Sequence, residues 1–306
     1  MKRIMLLFAT LAVVLMANAQ QLFVGTYNIR NHNSDDDREG NVWTTRCRVI
    51  CDELNFEDPD VFGTQEVLHE QLGDLLNGLD GYDYIGVGRD DGKEAGEYSA
   101  IFYKKDRLEM LRHGNFWLNE TPDVPKLGWD AACIRICSWG QFRQKATGFE
   151  FYYFNLHMDH VGVVARREAA KLVVKKIGEI AKDAPVVLTG DFNVDQTDEI
   201  YTIFTRSGVL KDSYVAAKHR FAENGTFNAF KPDLKTDSRI DHVFVSPKFD
   251  VQRYGILTNC YWTKNADSDS TTQQAANAPQ ELRFQQYQRR LPSDHYPVLV
   301  KMMYRK

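Results

Sequence analysis

No apolar run in the 306-residue chain reaches the roughly 20 residues that a membrane span needs. Repeats, low-complexity tracts and Pro- or Gly-rich linkers are also missing, so nothing marks a boundary inside residues 20–306, and a single domain is expected there. Basic charge is not in excess: 38 Lys and Arg stand against 42 Asp and Glu, a formal net charge of −4. Nonspecific grip on long nucleic acid draws on a basic face, so this balance argues against such a partner without excluding a local patch. Cys-x-x-Cys spacing is absent as well. Cysteines 47 and 51, and 133 and 137, lie four apart, with Cys260 alone and no clustered histidines. That argues against a zinc site and for buried free thiols, with one or two bridges left open.

The chain does have a basic start, Lys2 and Arg3, an apolar run over residues 4–16, and Ala17, Asn18, Ala19. This reads as a secretory signal peptide over residues 1–19, so export to the periplasm or the extracellular space is expected. No cysteine stands at the cleavage site to carry a lipid anchor. The remainder, with 43% hydrophobic residues, 18 Phe, 14 Tyr and 5 Trp in the whole chain, has globular composition.

Apolar, β-branched runs predict strands over residues 22–29, 61–64, 82–87, 99–103, 133–138, 149–157, 186–188, 240–246 and 297–303. Helical periodicity marks residues 44–54, 68–79, 165–181 and 199–207. Strands dominate and helices intervene without strict alternation, a mixed α/β (α+β) pattern of sheets covered by helices. Residues 265–290 are polar and weakly periodic, and read as a long surface loop, either lining the site or a mobile insertion.

Polar side chains recur where the strands end: Asn28, Glu66, His157, Asp191, Asn193 and Asp241. A carboxylate or imidazole that follows a buried strand must be paired or metal-bound. Carboxylate and amide oxygens hold a magnesium ion while leaving positions for water and substrate. An imidazole oriented by a carboxylate can take a proton from water, and a second can donate to a phosphoryl oxygen. His157 and His295 are available for the two tasks. Singly these are weak signals, since an Asp or Asn at a strand end is usually turn chemistry.

Their order is more telling. Thr26-Tyr27-Asn28-Ile29, Thr64-Gln65-Glu66, Asn155-Leu156-His157, Gly190-Asp191-Phe192-Asn193, Arg239-Ile240-Asp241-His242 and Ser293-Asp294-His295-Tyr296-Pro297 follow one another along the chain. In this it resembles the endonuclease/exonuclease/phosphatase superfamily, which includes pancreatic-type deoxyribonuclease, apurinic endonucleases and neutral sphingomyelinases. The resemblance runs over essentially all of residues 20–306. It implies a four-layer αββα sandwich of two mixed β-sheets flanked by helices, with the site at one edge. It further implies Glu66 as main metal ligand with Asn28 beside it and Asp294 as a further ligand. His295 oriented by Asp241 would handle the nucleophilic water, a role some accounts give to Asp191. Asn193 would hold the scissile phosphate, and His157, supported by Glu97, the phosphoryl oxygen. The cofactor implied is Mg²⁺, with Mn²⁺ or Ca²⁺ as substitutes.

Two positions depart from the pattern. His242 either approaches the site or packs beneath it, and Arg135 either contacts substrate or makes a surface ion pair. Residues 86–93 are glycine-rich but lack the phosphate-loop pattern, and read as a hairpin-side loop. Asp35, Asp36 and Asp37 read as a solvated loop, with a role at the site mouth left open by their closeness in sequence to Asn28. His160 is expected on the opposite face from His157 by strand alternation.

The function expected is that of an exported, divalent-metal-dependent phosphoester hydrolase, a phosphodiesterase or phosphatase using in-line attack of water. A small molecule or lipid headgroup is favoured over long nucleic acid. A secreted metal-dependent nuclease is the alternative, and a noncatalytic binding module on the same scaffold a remote one.

Overall fold

The computed structural model describes residues 20–264, 277, 279, 281, 282 and 284–305. Residues 1–19, where a signal peptide is expected, and most of the polar segment 265–290 lie outside them. In chain order the elements are β1 (Gln21–Asn28), α1 (Ser34–Arg38), α2 (Trp43–Glu57), β2 (Val61–Gln65), α3 (His69–Gly78), β3 (Tyr82–Ile85), β4 (Ile101–Lys104), β5 (Leu108–Trp117), β6 (Ile136–Gln144) and β7 (Glu150–His157). There follow α4 (Val163–Ile180), β8 (Val186–Asp191), α5 (Glu199–Thr205), β9 (Lys211–Asp212), α6 (Ser213–Ala216), β10 (His219–Phe221), β11 (Asp241–Val245), β12 (Phe249–Ile256), β13 (Tyr261–Lys264), β14 (Tyr287–Arg290) and β15 (Val298–Tyr304).

Two large mixed sheets result. The first runs β10-β12-β15-β1-β2-β4-β3 and the second β5-β6-β7-β8-β11-β9, while β13 and β14 form a separate hairpin ladder. The period-two alternation of a strand decides which layer each side chain enters. In β1, Leu22 and Val24 join Tyr153, Val187, Val243 and Val300 in the core between the sheets, whereas Tyr27 meets Ile50, Leu54, Leu72 and Leu75 of α2 and α3 on the outer face. In β7, Phe154 and Leu156 face Ala169, Val173 and Ile177 of α4. Both sheets are thus apolar on both faces, and a helical layer covers each, giving the four-layer sandwich.

The inter-sheet core carries one polar brace. Asn155 donates to the carbonyls of Thr64 (2.8 Å) and Ala100 (2.9 Å) and accepts from Gln65 Nε2 (2.7 Å) and Thr189 Oγ1 (3.0 Å). Gly63 makes the room, since a Cβ there would stand 2.2 Å from Asn155 Oδ1.

The structure departs from several expectations. Strands β5 and β12 were not anticipated: their side chains are half polar, many partly exposed, and each has a register shift, between Met110 and Arg112 and between Val251 and Arg253. The strand expected over 133–138 starts only at Ile136, leaving Cys133 and Arg135 in the preceding loop. Asp35 to Asp37 are not a solvated loop. They form α1, capped by Asn33, and Asp36 is buried against Arg30. Tyr287–Arg290, inside the expected polar loop, pairs with Tyr261–Lys264. All five cysteines are free, with Cys47 and Cys51 in Sγ contact at 4.0 Å.

Candidate active site

Alternation also builds the site. In the second sheet the inward positions of β7, β8 and β11 end in one paired row, His157 opposite Asp191 and Asp191 opposite Asp241. Across the gap β1 ends on inward-facing Asn28, β2 leads into Glu66, and the turn before β15 carries Ser293, Asp294 and His295. Arg30, Glu66 and Asn193 adopt left-handed backbone, at φ 59°, 62° and 49°. Such conformations in non-glycine residues are held by their surroundings and cluster at functional sites.

Buried hydrogen bonds fix the two halves to each other. Asn28 donates through Nδ2 to Glu66 Oε1 (3.1 Å) and Asp191 Oδ2 (3.0 Å), and its Oδ1 accepts the Arg30 N–H (3.0 Å). The Asn28 carbonyl accepts the Ser293 hydroxyl at 2.6 Å. Arg46, fully buried, donates to the carbonyls of Ile29 (2.8 Å), Asn41 (2.9 Å) and Pro292 (3.1 Å), tying the turn after β1 to the turn before β15. Asn228 and Ala229 N–H groups hold the Asp294 carbonyl.

His295 Nδ1 lies 2.8 Å from Asp241 Oδ2, and Nε2 lies 3.7 Å from Asp191 Oδ2. Burial pushes the His295 pKa down, but Asp241, Asp191 and Asp294 outweigh it and hold it well above the ordinary histidine value. Asp191 is pushed up to about 7 by burial and by Asp241, with His295 opposing. His295 and Asp191 thus each shift the other's proton affinity.

His157 experiences the reverse. Burial, then Arg135, Arg89, His295 and His160, hold its pKa well below the ordinary value, so it is neutral. Its Nε2 lies 3.2 Å from Asn193 Nδ2 and 3.4 Å from Asp191 Oδ2, and Nδ1 lies 4.0 Å from Glu97. Nε2 thus faces a donor, the Asn193 amide, and an acceptor, Asp191, while buried Nδ1 has no hydrogen-bond partner, so the tautomer follows which of the two neighbours Nε2 bonds. Glu97, its pKa raised by burial, pairs closely with Arg89 and accepts from Asn31 Nδ2 (3.2 Å).

Arg135 is buried rather than part of a surface pair. Its Nε faces Asp159 Oδ2 at 3.4 Å and its Nη2 faces His160 Nδ1 at 3.0 Å. Asp159 also accepts the N–H groups of Cys133 (3.1 Å), Val161 (3.0 Å) and Gly162 (2.7 Å). Burial opposes its charge, but the backbone donors hold its pKa at about 2. Cys133, Asp159 and His160 come close enough to bracket an ion, yet the Asp159 oxygens are already taken by donors and Arg135 adds positive charge, so the trio suits an anion's neighbourhood better.

These residues surround one cleft of about 390 Å³, lined by Arg30, Asn31, Glu66, Arg89, Glu97, Cys133, Arg135, His157, His160, Asp191, Asn193, Phe227, Ile240, Asp294 and His295. His160 lines it together with His157, contrary to the alternation argument, because β7 ends at His157. Asp241 stands behind His295. His242 does not reach the cleft: it points into the helix-covered face among Phe192, Tyr201 and Phe244, with Nε2 2.9 Å from the Val194 carbonyl. Burial lowers its pKa, and in position it is a packing residue rather than one that meets substrate.

Arg30, Arg89 and Phe227 line the cleft without having been singled out in the sequence. Arg30 follows directly on the Thr26 to Ile29 motif, which is a usable signal. Arg89 arrives from the glycine-rich loop 86–93, tethered by Trp117 Nε1 to the Arg89 carbonyl at 2.7 Å. Phe227 packs edge-on against His295 with centroids 5.0 Å apart, and no sequence pattern points to it.

The donor set facing the cleft fits a hard divalent cation. Glu66 and Asp294 converge from opposite turns, and both lie within 4 Å of one cationic nitrogen, Arg30 Nη1, at 3.9 Å and 3.7 Å. Oxygen donors of this kind suit Mg²⁺ or Mn²⁺. Asn28 presents its amide nitrogen, not its oxygen, to the neighbouring carboxylates, so in this arrangement it positions Glu66 and Asp191.

A two-sheet sandwich with imidazoles, carboxylates and an amide gathered at one edge is a phosphoester-hydrolase architecture. The sequence model of the Endonuclease/Exonuclease/phosphatase family matches residues 25–295, and the chain belongs to that family. Among solved structures it is similar to an endonuclease/exonuclease/phosphatase family protein from Bacteroides thetaiotaomicron, at 50% identity and TM-score 0.86 over 93% of this chain and 98% of that one. It is equally similar to a mannosyl-6-phosphatase of Bacteroides thetaiotaomicron VPI-5482, at 50% identity and TM-score 0.85 over 92% of this chain and all of that one. Among curated proteins it matches Nocturnin of Drosophila melanogaster at 24% identity, spanning 56% of this chain but only 27% of that protein.

Proposed function

We propose that the protein is an exported, divalent-metal-dependent phosphatase that hydrolyses small phosphoesters, with sugar phosphates as the leading substrate class. The observation that carries the reading is the cleft itself. Carboxylates for a cation, a carboxylate-held imidazole and three fixed arginines converge in about 390 Å³, a volume that suits one phosphoryl group with a small leaving group. Similarity to a mannosyl-6-phosphatase over nearly the whole chain supports the sugar-phosphate class.

A divalent ion held by Glu66 and Asp294, when bound, would supply charge neutralisation for the phosphoryl oxygens. The chain's own groups do the rest. His295, oriented through Nδ1 by Asp241, has Nε2 free to exchange a proton with water, and Asp191 shares that proton. Neutral His157, together with Asn193, is placed to hold the phosphoryl oxygens. Arg135, pinned by Asp159, gives a fixed positive charge for a phosphomonoester dianion.

The test is a substrate panel run with Mg²⁺, with Mn²⁺ and with chelator. Hexose phosphates, inositol phosphates, sphingomyelin, bis-p-nitrophenyl phosphate, single-stranded DNA and RNA form the panel. Release of inorganic phosphate from a hexose phosphate, lost on chelation, is expected. Faster turnover of nucleic acid, steeply weakened by salt, would replace this reading with that of a secreted nuclease.

A further inference from the structure

We propose that Arg30 and the divalent cation draw on the same pair of carboxylates, so that Arg30 sets the cation concentration at which the site fills. The inference rests on the metal-dependent reading above. Arg30 Nη1 stands 3.9 Å from Glu66 Oε2 and 3.7 Å from Asp294 Oδ2. It therefore occupies the zone toward which both carboxylates turn.

The guanidinium is not a loose surface group that drifted there. Its Nε donates to Asp36 Oδ2 at 2.8 Å and its Nη2 contacts Asp36 Oδ1 at 3.4 Å. Asp36 is itself fixed, because Asn33 Nδ2 donates to the same Oδ2 at 2.7 Å and Asn33 also caps α1. The Arg30 backbone is locked as well: its N–H goes to Asn28 Oδ1 (3.0 Å) and its carbonyl accepts from Gln71 Nε2 (3.2 Å). Three carboxylates thus surround one guanidinium, with Asp36 on the outer side and Glu66 and Asp294 on the inner side.

An arriving divalent ion must share Glu66 and Asp294 with a like charge that is anchored nearby. Coulomb repulsion over a few ångströms in a half-buried setting weakens binding, and Asp36 limits the effect by neutralising Arg30 from the far side. Removing the guanidinium and removing its outer counter-charge therefore act in opposite directions.

The experiment is calorimetric titration of Mn²⁺ and Mg²⁺ into the metal-stripped protein, with thermal melts to establish that each variant is folded. Arg30→Met is expected to bind the ion roughly tenfold more tightly than the parent. Asp36→Asn, which leaves the guanidinium to Glu66 and Asp294 alone, is expected to bind it several-fold more weakly. Arg38→Met removes an exposed arginine on the same short helix that faces Asp35, and is expected to change the dissociation constant less than twofold. Unchanged or weaker binding in Arg30→Met, or tighter binding in Asp36→Asn, overturns the inference while leaving the metal-dependent reading intact. If the parent binds neither ion, or Glu66→Gln binds as the parent does, the metal reading fails and the inference with it.

Discussion

His157 and His295 face the same cleft from opposite corners, and their surroundings push them in opposite directions. Around His295 stand Asp241, Asp191 and Asp294, so the imidazole keeps its proton far above the usual range despite burial. Around His157 stand Arg135, Arg89 and His160, and burial reinforces them, so that imidazole stays neutral. Asp191 Oδ2 lies between the two, 3.7 Å from one ring and 3.4 Å from the other. Identical side chains, both almost fully buried, are thereby given opposite proton affinities by the charges on neighbouring strand ends. In the proposed function one corner handles protons, and the other presents neutral and positive donors to an anion.

Removing the proton-handling corner is the most severe way to test this division. His295→Ala is expected to lower kcat on the best phosphomonoester about 10³-fold or more with little change in KM. Near-normal turnover in that variant would refute the assignment. Asp241→Asn keeps the shape but removes the counter-charge on Nδ1, and a loss in kcat of about a hundredfold is expected from steady-state assays. Arg135→Met attacks the other corner. Here the expected change is a rise of about tenfold in KM for the dianionic substrate with kcat nearly preserved, and a pure kcat effect would erase the distinction between the corners.

The smallest effect concerns a carboxyl outside both corners. Glu53 on α2 is pushed up to about 8 by burial, with Asn259 Nδ2 donating to it at 2.8 Å. Its folded pKa is above its unfolded value near 4.5, so the stability it contributes is present in full below about 4.5 and is lost as pH rises through about 8. Glu53→Gln should therefore melt close to the parent at pH 4.5 and progressively higher than it from pH 5 to 8, levelling off beyond. Differential scanning calorimetry across that range checks it, and a gap independent of pH counts against burial as the cause.

How much of this was legible beforehand differs between the corners. The strands that carry His157, Asp191 and Asp241 are nearly unbroken apolar runs buried on both faces, so their ends could be read from the sequence, and the polar residue at one end of each run stood out. The anionic wall is built by other means. Arg89 comes from an irregular glycine-rich loop anchored by Trp117, and His160 from beyond the end of β7, where alternation no longer governs direction. Asp36 resembled a solvated residue because three consecutive aspartates look uniformly polar, and only the tertiary approach of Arg30 distinguishes the middle one. Strands β5 and β12 escaped notice for a related reason: register shifts and partly exposed faces break the period that a reader relies on. His242 adjoins Asp241 in sequence but lies across the sheet from it, a separation that the alternation of β11 imposes.

The position of β15 has a bearing on the order in which the protein comes into being. This last described strand sits between β1 and β12, near the middle of the first sheet, and the turn leading into it carries Asp294 and His295. On the ribosome, every strand of the second sheet emerges before the element that completes the first. The emerging chain therefore has neither the completed first sheet nor the Asp241–His295 contact until synthesis has passed residue 298. Joining β1 to β15 closes a loop of more than two hundred residues, a pairing of high sequence separation that forms late and leaves an open edge on β1 in the meantime.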